Sequence, residues 1–368
     1  MRLTISKPIV GAFEGDVQSG LNALNEIKSE FGFSNGELII NKDLILDTGF
    51  QVIVRGKDLT DLGKLERNLA SLGKFIPSAV HAPYQYDDSQ LWHTADLSRG
   101  EEGYKNLLKI VEFSDNIGAE SIAIHPNAIR DKSLLLDKNY THETRIHCLD
   151  NVINRILEAQ SHAKRVSVDL ENKPFPTTNA DNSYATYTIT FGPLADMARY
   201  VKMGGKLTFD TCHYGITRNT INDALENLGK NLNNKKLREL EMLGYFAKDY
   251  TRQPEIEDVM VAFGKSINNI HLNDGSVYKP IPETGRPDKN AKLSLTGGLQ
   301  IMWEAYVPGY GELCDNNVIF PWLKENQKDD RRVFLTLEVG EFNNNYKDSP
   351  RFKESARSMI IDLKNYFG

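Results

Sequence analysis

Six short segments of this sequence end an apolar run on a histidine or a carboxylate. The segments are VHAPY, AIHPN, LEN, DTCH, HLND and LEV, and the residues that they supply are His81, His125, Glu171, Asp210, His271 and Glu338. Imidazole nitrogens and carboxylate oxygens together bind Zn²⁺, Mn²⁺, Fe²⁺ or Co²⁺. A carboxylate at the end of a buried run also requires a partner for its charge. The set predicts a divalent-metal site, provided that the fold brings the six ends together.

The DTCH segment offers a second histidine close to this set. Asp210 and His213 are three residues apart, and both can face one site if the chain turns after Asp210. The alternative is that His213 only caps the following segment, and we expect Cys212 to be buried rather than to bind a metal. The sequence contains no nucleophile elbow, so acyl-enzyme chemistry is unsupported. We expect the remaining histidines to lie outside the site: His93, His142, His147 and His162.

Eight β-rich runs must position these residues. They cover roughly 2–6, 37–41, 77–82, 120–125, 166–171, 206–211, 268–273 and 333–339. Most are continuous apolar runs, as in buried parallel strands. Helical periodicity fills the gaps, most clearly at 62–72, 107–117, 143–164 and from about 350 to the end. Strands that alternate with helices predict parallel βαβ units.

An α/β fold of the (β/α)₈ TIM-barrel type accounts for eight such strands. The alternative is an open doubly wound sheet, but the glycine-rich turn that usually follows its first strand is missing after 2–6. Barrel active sites lie at the C-terminal ends of the strands. The barrel therefore predicts that the six metal-ligand candidates meet at one face.

The chain of 368 residues is longer than the ~250 typical of such a barrel. We expect a single domain over 1–368, with long insertions after strands six and seven, at 212–267 and 274–332. Loops of this length in a compact domain tend to be lids or binding loops. We expect both insertions on the active-site face.

Composition limits the location and the partners. The net charge of −6 argues against a cationic coat for nucleic acid. Three cysteines without a CxxC pair give no disulfide framework and suggest a reducing compartment. We find neither a signal-peptide pattern nor an apolar run near the ~20 residues that span a bilayer. We expect a cytoplasmic protein without a membrane partner, for which a homo-oligomer through the outer helices remains open.

The ordered motifs, together with the GYGEL segment at 309–313, resemble the xylose isomerase-like barrels over residues 81–338. That superfamily includes sugar isomerases, sugar epimerases and the endonuclease IV class of apurinic-site nucleases. For an epimerase, the resemblance implies one divalent ion, a histidine three residues after the Asp that contacts the substrate (His213), and four metal ligands: Glu171, Asp210, His271 and Glu338.

For a nuclease, the resemblance implies three zinc ions. Two earlier histidines, matched here by His81 and His125, would bind metal, and an Asp-x-His pair should precede a Gly-x-Gly. The Gly-x-Gly resembles Gly309-Tyr310-Gly311, but Trp303 and Ala305 occupy the places of the pair. The third zinc would then lack two ligands unless another carboxylate replaced them, for which the candidates are Asp288 and Glu304.

The sequence therefore predicts a divalent-metal-dependent isomerase or epimerase that acts on a sugar or sugar phosphate. Glu171 and Glu338 would transfer the proton around a metal-stabilised enediolate. His81, His125 and His213 would contact the substrate, and His81 and His125 could also hold a second ion. We expect one or two ions of Mn, Zn, Co or Mg per chain. The alternatives are an endonuclease IV-like phosphodiesterase that acts on abasic DNA, a polyol lyase or dehydratase, and a non-catalytic binding barrel.

Overall fold

A closed barrel of eight parallel strands forms the centre of the protein, as seen in a computed structural model. The structure describes residues 1–10, 14–70, 78–83, 97–98, 101–126, 141–174, 177–178, 184–186, 191–227, 251–293, 295–296, 299–300, 302–339 and 349–368. The barrel strands are β1 (Arg2–Val10), β2 (Ile45–Ile53), β3 (Ser78–His81), β4 (Ser121–Ile124), β5 (Ser167–Glu171), β6 (Lys206–Asp210), β7 (Ile267–Leu272) and β8 (Arg332–Leu337).

Each strand pairs with the next in chain order, and β8 pairs in parallel with β1. This last pairing closes the sheet. The TIM-barrel prediction is confirmed, and the doubly wound alternative is wrong.

The predicted second strand, 37–41, is wrong. Only Leu38–Ile39 is extended there, as a short antiparallel neighbour of β2, and Ile39 is 70% exposed. The true β2 is buried along nearly its whole length. Its apolar run is interrupted by polar side chains that bond to other barrel strands: Asp47 accepts from Thr4, and Gln51 bonds to the strands on the far side. Such internal polar bonding is invisible in the hydropathy of one segment.

Helices surround the barrel. Their bounds are α1 (Glu14–Phe31), α2 (Leu62–Ala70), α3 (Glu101–Ile117), α4 (His142–His162), α5 (Leu194–Lys202), α6 (Thr211–Asn227), α7 (Ile256–Phe263), α8 (Phe320–Asn326) and α9 (Ser349–Phe367). The four helical segments predicted from periodicity are confirmed within a few residues; residue 72 lies outside the described ranges. No helix within those ranges has the length and apolar character needed to cross a bilayer.

Apolar helix faces and strands pack into one hydrophobic core. On α4, Leu149, Ile153 and Ile156 are fully buried at helical spacing. Two buried polar links fix the outer layer. Asp115 of α3 accepts the backbone N–H groups of residues 164–166, just before β5. Arg145 of α4 forms a bidentate ion pair with Asp196 of α5, with N–O distances of 2.8 and 3.1 Å.

Both insertions contain ordered elements, and both have parts outside the described residues. The 212–267 insertion holds most of α6 and all of α7, and its residues 228–250 lie outside. The 274–332 insertion, of which residues 294, 297–298 and 301 lie outside, contains antiparallel ribbons. The first pairs Asp274–Ser276 with Trp303–Tyr306, and the second pairs Tyr278–Pro280 with Pro287–Lys292.

Asp274 organises the loop after the first ribbon. Its carboxylate accepts backbone N–H groups from Gly311, Leu313 and Cys314, at 2.7 to 3.2 Å. Burial raises the pKa of Asp274 to about 6 against the effect of these bonds. The Gly-x-Gly segment is therefore folded back onto the end of β7.

Candidate metal centre

All seven predicted site residues meet at the C-terminal face of the barrel. His81, Glu171 and Asp210 are the last residues of β3, β5 and β6, and His271 lies in β7. His125 and Glu338 follow directly after β4 and β8, and His213 lies in the first turn of α6. Six of them are buried, and the side chain of Glu338 is 11% exposed. Asp210 also starts α6, because its Oδ1 accepts the N–H of His213 at 2.7 Å.

His271 Nδ1 lies at the centre of the predicted four-ligand set. It is 3.5 Å from Glu171 Oε1, 3.9 Å from Asp210 Oδ2 and 3.3 Å from Glu338 Oε1. Ligand bonds of ~2.0–2.2 Å in a tetrahedral site place neighbouring ligand atoms ~3.3–3.6 Å apart. These three distances from His271 are close to the spacing expected between ligands of one small divalent cation.

Two of these side chains also present buried atoms that lack hydrogen bonds. Among the described residues, neither carboxylate oxygen of Glu171 has a hydrogen-bond partner, and the same holds for His271 Nδ1. Buried polar atoms normally have a partner, and a buried carboxylate is especially costly without one. A cation between these atoms would satisfy all three. The site residues include three groups whose donor atoms all lie within 4.8 Å of one another: His81, Glu171 and His271; Glu171, Asp210 and His213; Asp210, His271 and Glu338.

Gln51 supports this centre from β2. Its Oε1 lies 2.8 Å from His271 Nε2, and its Nε2 donates to Glu338 Oε1 at 2.7 Å. The bond at Nε2 directs the lone pair of His271 Nδ1 toward the proposed ion, as outer partners of metal-bound histidines do. The sequence interpretation missed Gln51 because it placed the second strand at 37–41. The β-branched and aromatic residues of 45–53, ILDTGFQVI, could have indicated a strand there.

The pKa values of His125 and His213 shift in opposite directions. Burial would raise the pKa of Glu171, but the imidazoles of His125 and His271 hold it well below its usual range. Burial keeps the pKa of His125 well below its usual value. Burial would also lower the pKa of His213, but the carboxylate of Asp210 raises it well above the ordinary value. The carboxylate of Asp210 therefore favours the protonated form of His213.

Two further charged residues enter the site. Lys173 Nζ lies 2.7 Å from His125 Nδ1, and Glu304 Oε2 lies 3.4 Å from His213 Nε2. Burial lowers the pKa of Lys173, while the carboxylates of Glu171 and Glu304 oppose that shift. Lys173 follows Glu171 by two residues, a spacing that could have revealed it.

Glu304 occupies the region in which the nuclease pattern expects an Asp-x-His pair. The next residue, Ala305, is buried with a φ of +66°, a strained backbone for alanine. Trp303 is half-buried on the other side. The second candidate for compensation, Asp288, instead lies in the ribbon strand Pro287–Lys292, where its Oδ1 accepts the N–H of Asn290.

The remaining predictions concern Cys212 and the four histidines expected outside the site. Cys212 is fully buried, as expected. His142, His147 and His162 lie on α4 and outside the site. His93 lies outside the described residues.

Comparisons with known proteins agree with this fold. A family model described as xylose isomerase-like TIM barrel matches residues 42–358. No curated protein matches the sequence.

The solved structure of an L-ribulose 3-epimerase is 11% identical, with 98% of this chain and 94% of that chain covered and a TM-score of 0.52. A D-allulose 3-epimerase from Methylomonas sp. is 12% identical, with 98% of each chain covered and a TM-score of 0.50. Endonuclease IV from Thermus thermophilus is 16% identical, with 98% of this chain and 100% of that chain covered and a TM-score of 0.45.

Proposed function

We propose that this chain, which belongs to the xylose isomerase-like TIM barrel family, is a divalent-metal-dependent isomerase or epimerase of a sugar or sugar phosphate. The observation that carries the proposal is the convergence of one histidine and three carboxylates around His271 Nδ1. Glu171, Asp210, His271 and Glu338 would hold the ion. The named epimerase structures share the fold and add support for this class only at that level.

The bound ion would supply Lewis acidity at the carbonyl of the sugar. Glu171 and Glu338 would remove and return the proton on the neighbouring carbon. They differ in environment, since Glu171 is fully buried whereas Glu338 reaches the open side of the site. A buried base and a more accessible one can hold different protonation states at one pH.

The histidines would orient the substrate. His213 Nδ1 donates to the carbonyl of Asn172 at 2.9 Å, which directs its other nitrogen toward Glu304 and the mouth of the site. His81 Nδ1 lies 2.8 Å from the carbonyl of Ala82, which turns its Nε2 toward Glu171. Both rings are thus held in one orientation, ready to bind hydroxyl groups.

The test is an epimerase and isomerase assay on ketoses and their phosphates, with the purified protein loaded with Mn²⁺, Co²⁺, Mg²⁺ or Zn²⁺. Glu171→Gln and Glu338→Gln should each lower kcat by ~10²–10⁴-fold, the usual contribution of a general acid or base. Glu26→Gln, which removes a surface ion pair with Lys353, should retain full activity. Nearly full activity in either site variant would refute the proton-transfer pair.

The same preparation separates the alternatives. Metal-dependent cleavage of an abasic-site oligonucleotide without sugar turnover would replace the proposal by a nuclease activity. Loss of water from a polyol would replace it by a lyase or dehydratase. We favour the sugar reaction because Trp303 and Ala305 cannot supply the two nuclease ligands.

We also propose that the enzyme works in the cytoplasm, in carbohydrate metabolism, as one domain whose two insertions border the site. All three cysteines are free thiols, which suits a reducing compartment. Glu304 supports the placement of the insertions, because it comes from the 274–332 insertion and reaches His213.

A further inference from the structure

Lys173 contacts His125 inside the site. The Nζ of Lys173 lies 2.7 Å from His125 Nδ1, and both side chains are buried. An ammonium group has three donors and no acceptor. The same Nζ lies 3.4 Å from His125 Nε2, so Nδ1 is the nearer acceptor. With an ammonium donor at 2.7 Å, Nδ1 accepts the hydrogen bond, and a neutral ring then carries its proton on Nε2.

The Nε2 atom is the one that faces the site. It lies 3.0 Å from Glu171 Oε1. A protonated ring nitrogen has no lone pair to give to a metal, because ligation requires a deprotonated donor atom. His125 therefore presents an N–H group toward Glu171, and it cannot share a cation with Glu171 while Lys173 keeps this contact.

If His125 cannot bind a metal, a second ion loses one of its three available ligands. His81 Nε2, at 3.3 Å from Glu171 Oε2, and Glu171 itself would remain. The positive charge of Lys173 also lies on the side of the site where this second cation would sit.

We propose that Lys173 excludes a second metal ion by holding His125 in the tautomer that carries its proton on Nε2, so that the centre binds one divalent ion per chain. The inference rests on the proposed function, because it assumes that the primary site is a metal site. It differs from the expectation that His125 is a metal ligand.

The experiment counts metal ions without reference to activity. Metal-free protein is titrated with Zn²⁺ and, separately, with Mn²⁺, and the bound ion is quantified by calorimetry and by elemental analysis after excess ion is removed. Wild-type protein should bind one ion. Lys173→Met, which keeps the length and removes the donors, should bind two, and Lys173→Arg should still bind one.

Two further variants make the result specific. Lys173→Met combined with His125→Ala should return to one ion, because the second ion needs His125. His125→Ala alone should bind one ion with a Kd within about threefold of wild type, and it keeps the test decisive should Lys173→Met fail to fold. Lys206→Met, whose Nζ bonds a surface carbonyl away from the site, is the control and should also bind one.

The outcomes are distinguishable. Two ions in wild type, one ion in folded Lys173→Met, or a large loss of affinity in His125→Ala would each overturn the role of Lys173 and leave the metal-dependent function intact. Absence of metal binding in the wild type would overturn the proposed function and this inference with it.

Discussion

Gln51 should control metal affinity although it is not itself a metal ligand. The substitution Gln51→Met keeps the approximate volume of the side chain and removes its amide. Two hydrogen bonds to the proposed ligands are lost, one at His271 Nε2 and one at Glu338 Oε1. His271 is then free to change its tautomer, and Glu338 loses a donor that fixes its orientation.

The size of the effect follows from these two bonds. A protein hydrogen bond contributes about 1 kcal/mol net, so two add up to about 2 kcal/mol. That free energy corresponds to an increase in Kd of roughly 30-fold. It lies within the ~10- to 100-fold range typical of substituted outer partners of metal ligands.

The assay is calorimetric titration of metal-free protein with Zn²⁺, together with denaturant unfolding to confirm the fold. Gln160→Met is the control, because Gln160 makes two hydrogen bonds, to the backbone of Val166 and Val168, and lies outside the site. Gln51 makes four, of which two reach the proposed ligands and two reach Asn269 and Thr336. Gln160→Met should lower stability and leave the Kd unchanged. A Kd for Gln51→Met within threefold of wild type, or an equal loss in Gln160→Met, would refute the reasoning.

Three other predictions concern stability. Asp115→Asn should cost about 2 kcal/mol of unfolding free energy at pH 7. Burial would raise the pKa of Asp115, but the backbone N–H groups that it accepts hold this pKa below its usual value. The stabilisation is present above the unfolded pKa of ~3.9 and is lost as pH falls through the lower folded pKa, so the stability difference from wild type should narrow in acid unfolding curves. Gly311→Ala should cost about 1–3 kcal/mol in urea unfolding, because an added Cβ would lie 2.2 Å from the carbonyl oxygen of Gly275. Arg145→Leu should lower the unfolding free energy by about 3–5 kcal/mol, because it removes the bidentate guanidinium partner of the buried Asp196 carboxylate.

Each of these has a control and a contrary outcome. A stability gap for Asp115→Asn that stays constant down to pH 2 would mean that the carboxylate charge is irrelevant. Gly15→Ala, at an exposed helical position with nothing within 4 Å of the added Cβ, should be neutral or stabilising; a loss equal to that of Gly311→Ala would contradict the steric argument. Adding Asp196→Asn to Arg145→Leu should recover part of the lost stability, and no recovery would argue against the ion pair.

The sequence by itself determined the architecture and the gathering of the site. Apolar runs alternating with helical patterns predicted the barrel, and a parallel barrel brings strand ends to one face whatever the loops do. His81, Glu171, Asp210 and His271 could therefore be placed together from their positions in the chain. Local information suffices where a residue's position along its own strand fixes its location in space.

Only the tertiary structure decided the support of the site and the state of its histidines. Polar side chains interrupt β2 and bond across the barrel, so their burial is explained by residues more than 200 positions away, as Gln51 with His271 shows. The contact between Lys173 and His125 likewise joins two different strand ends. Hydropathy reports what one segment prefers, whereas the tautomer of a histidine and the number of ions beside it depend on which donor the fold places against it.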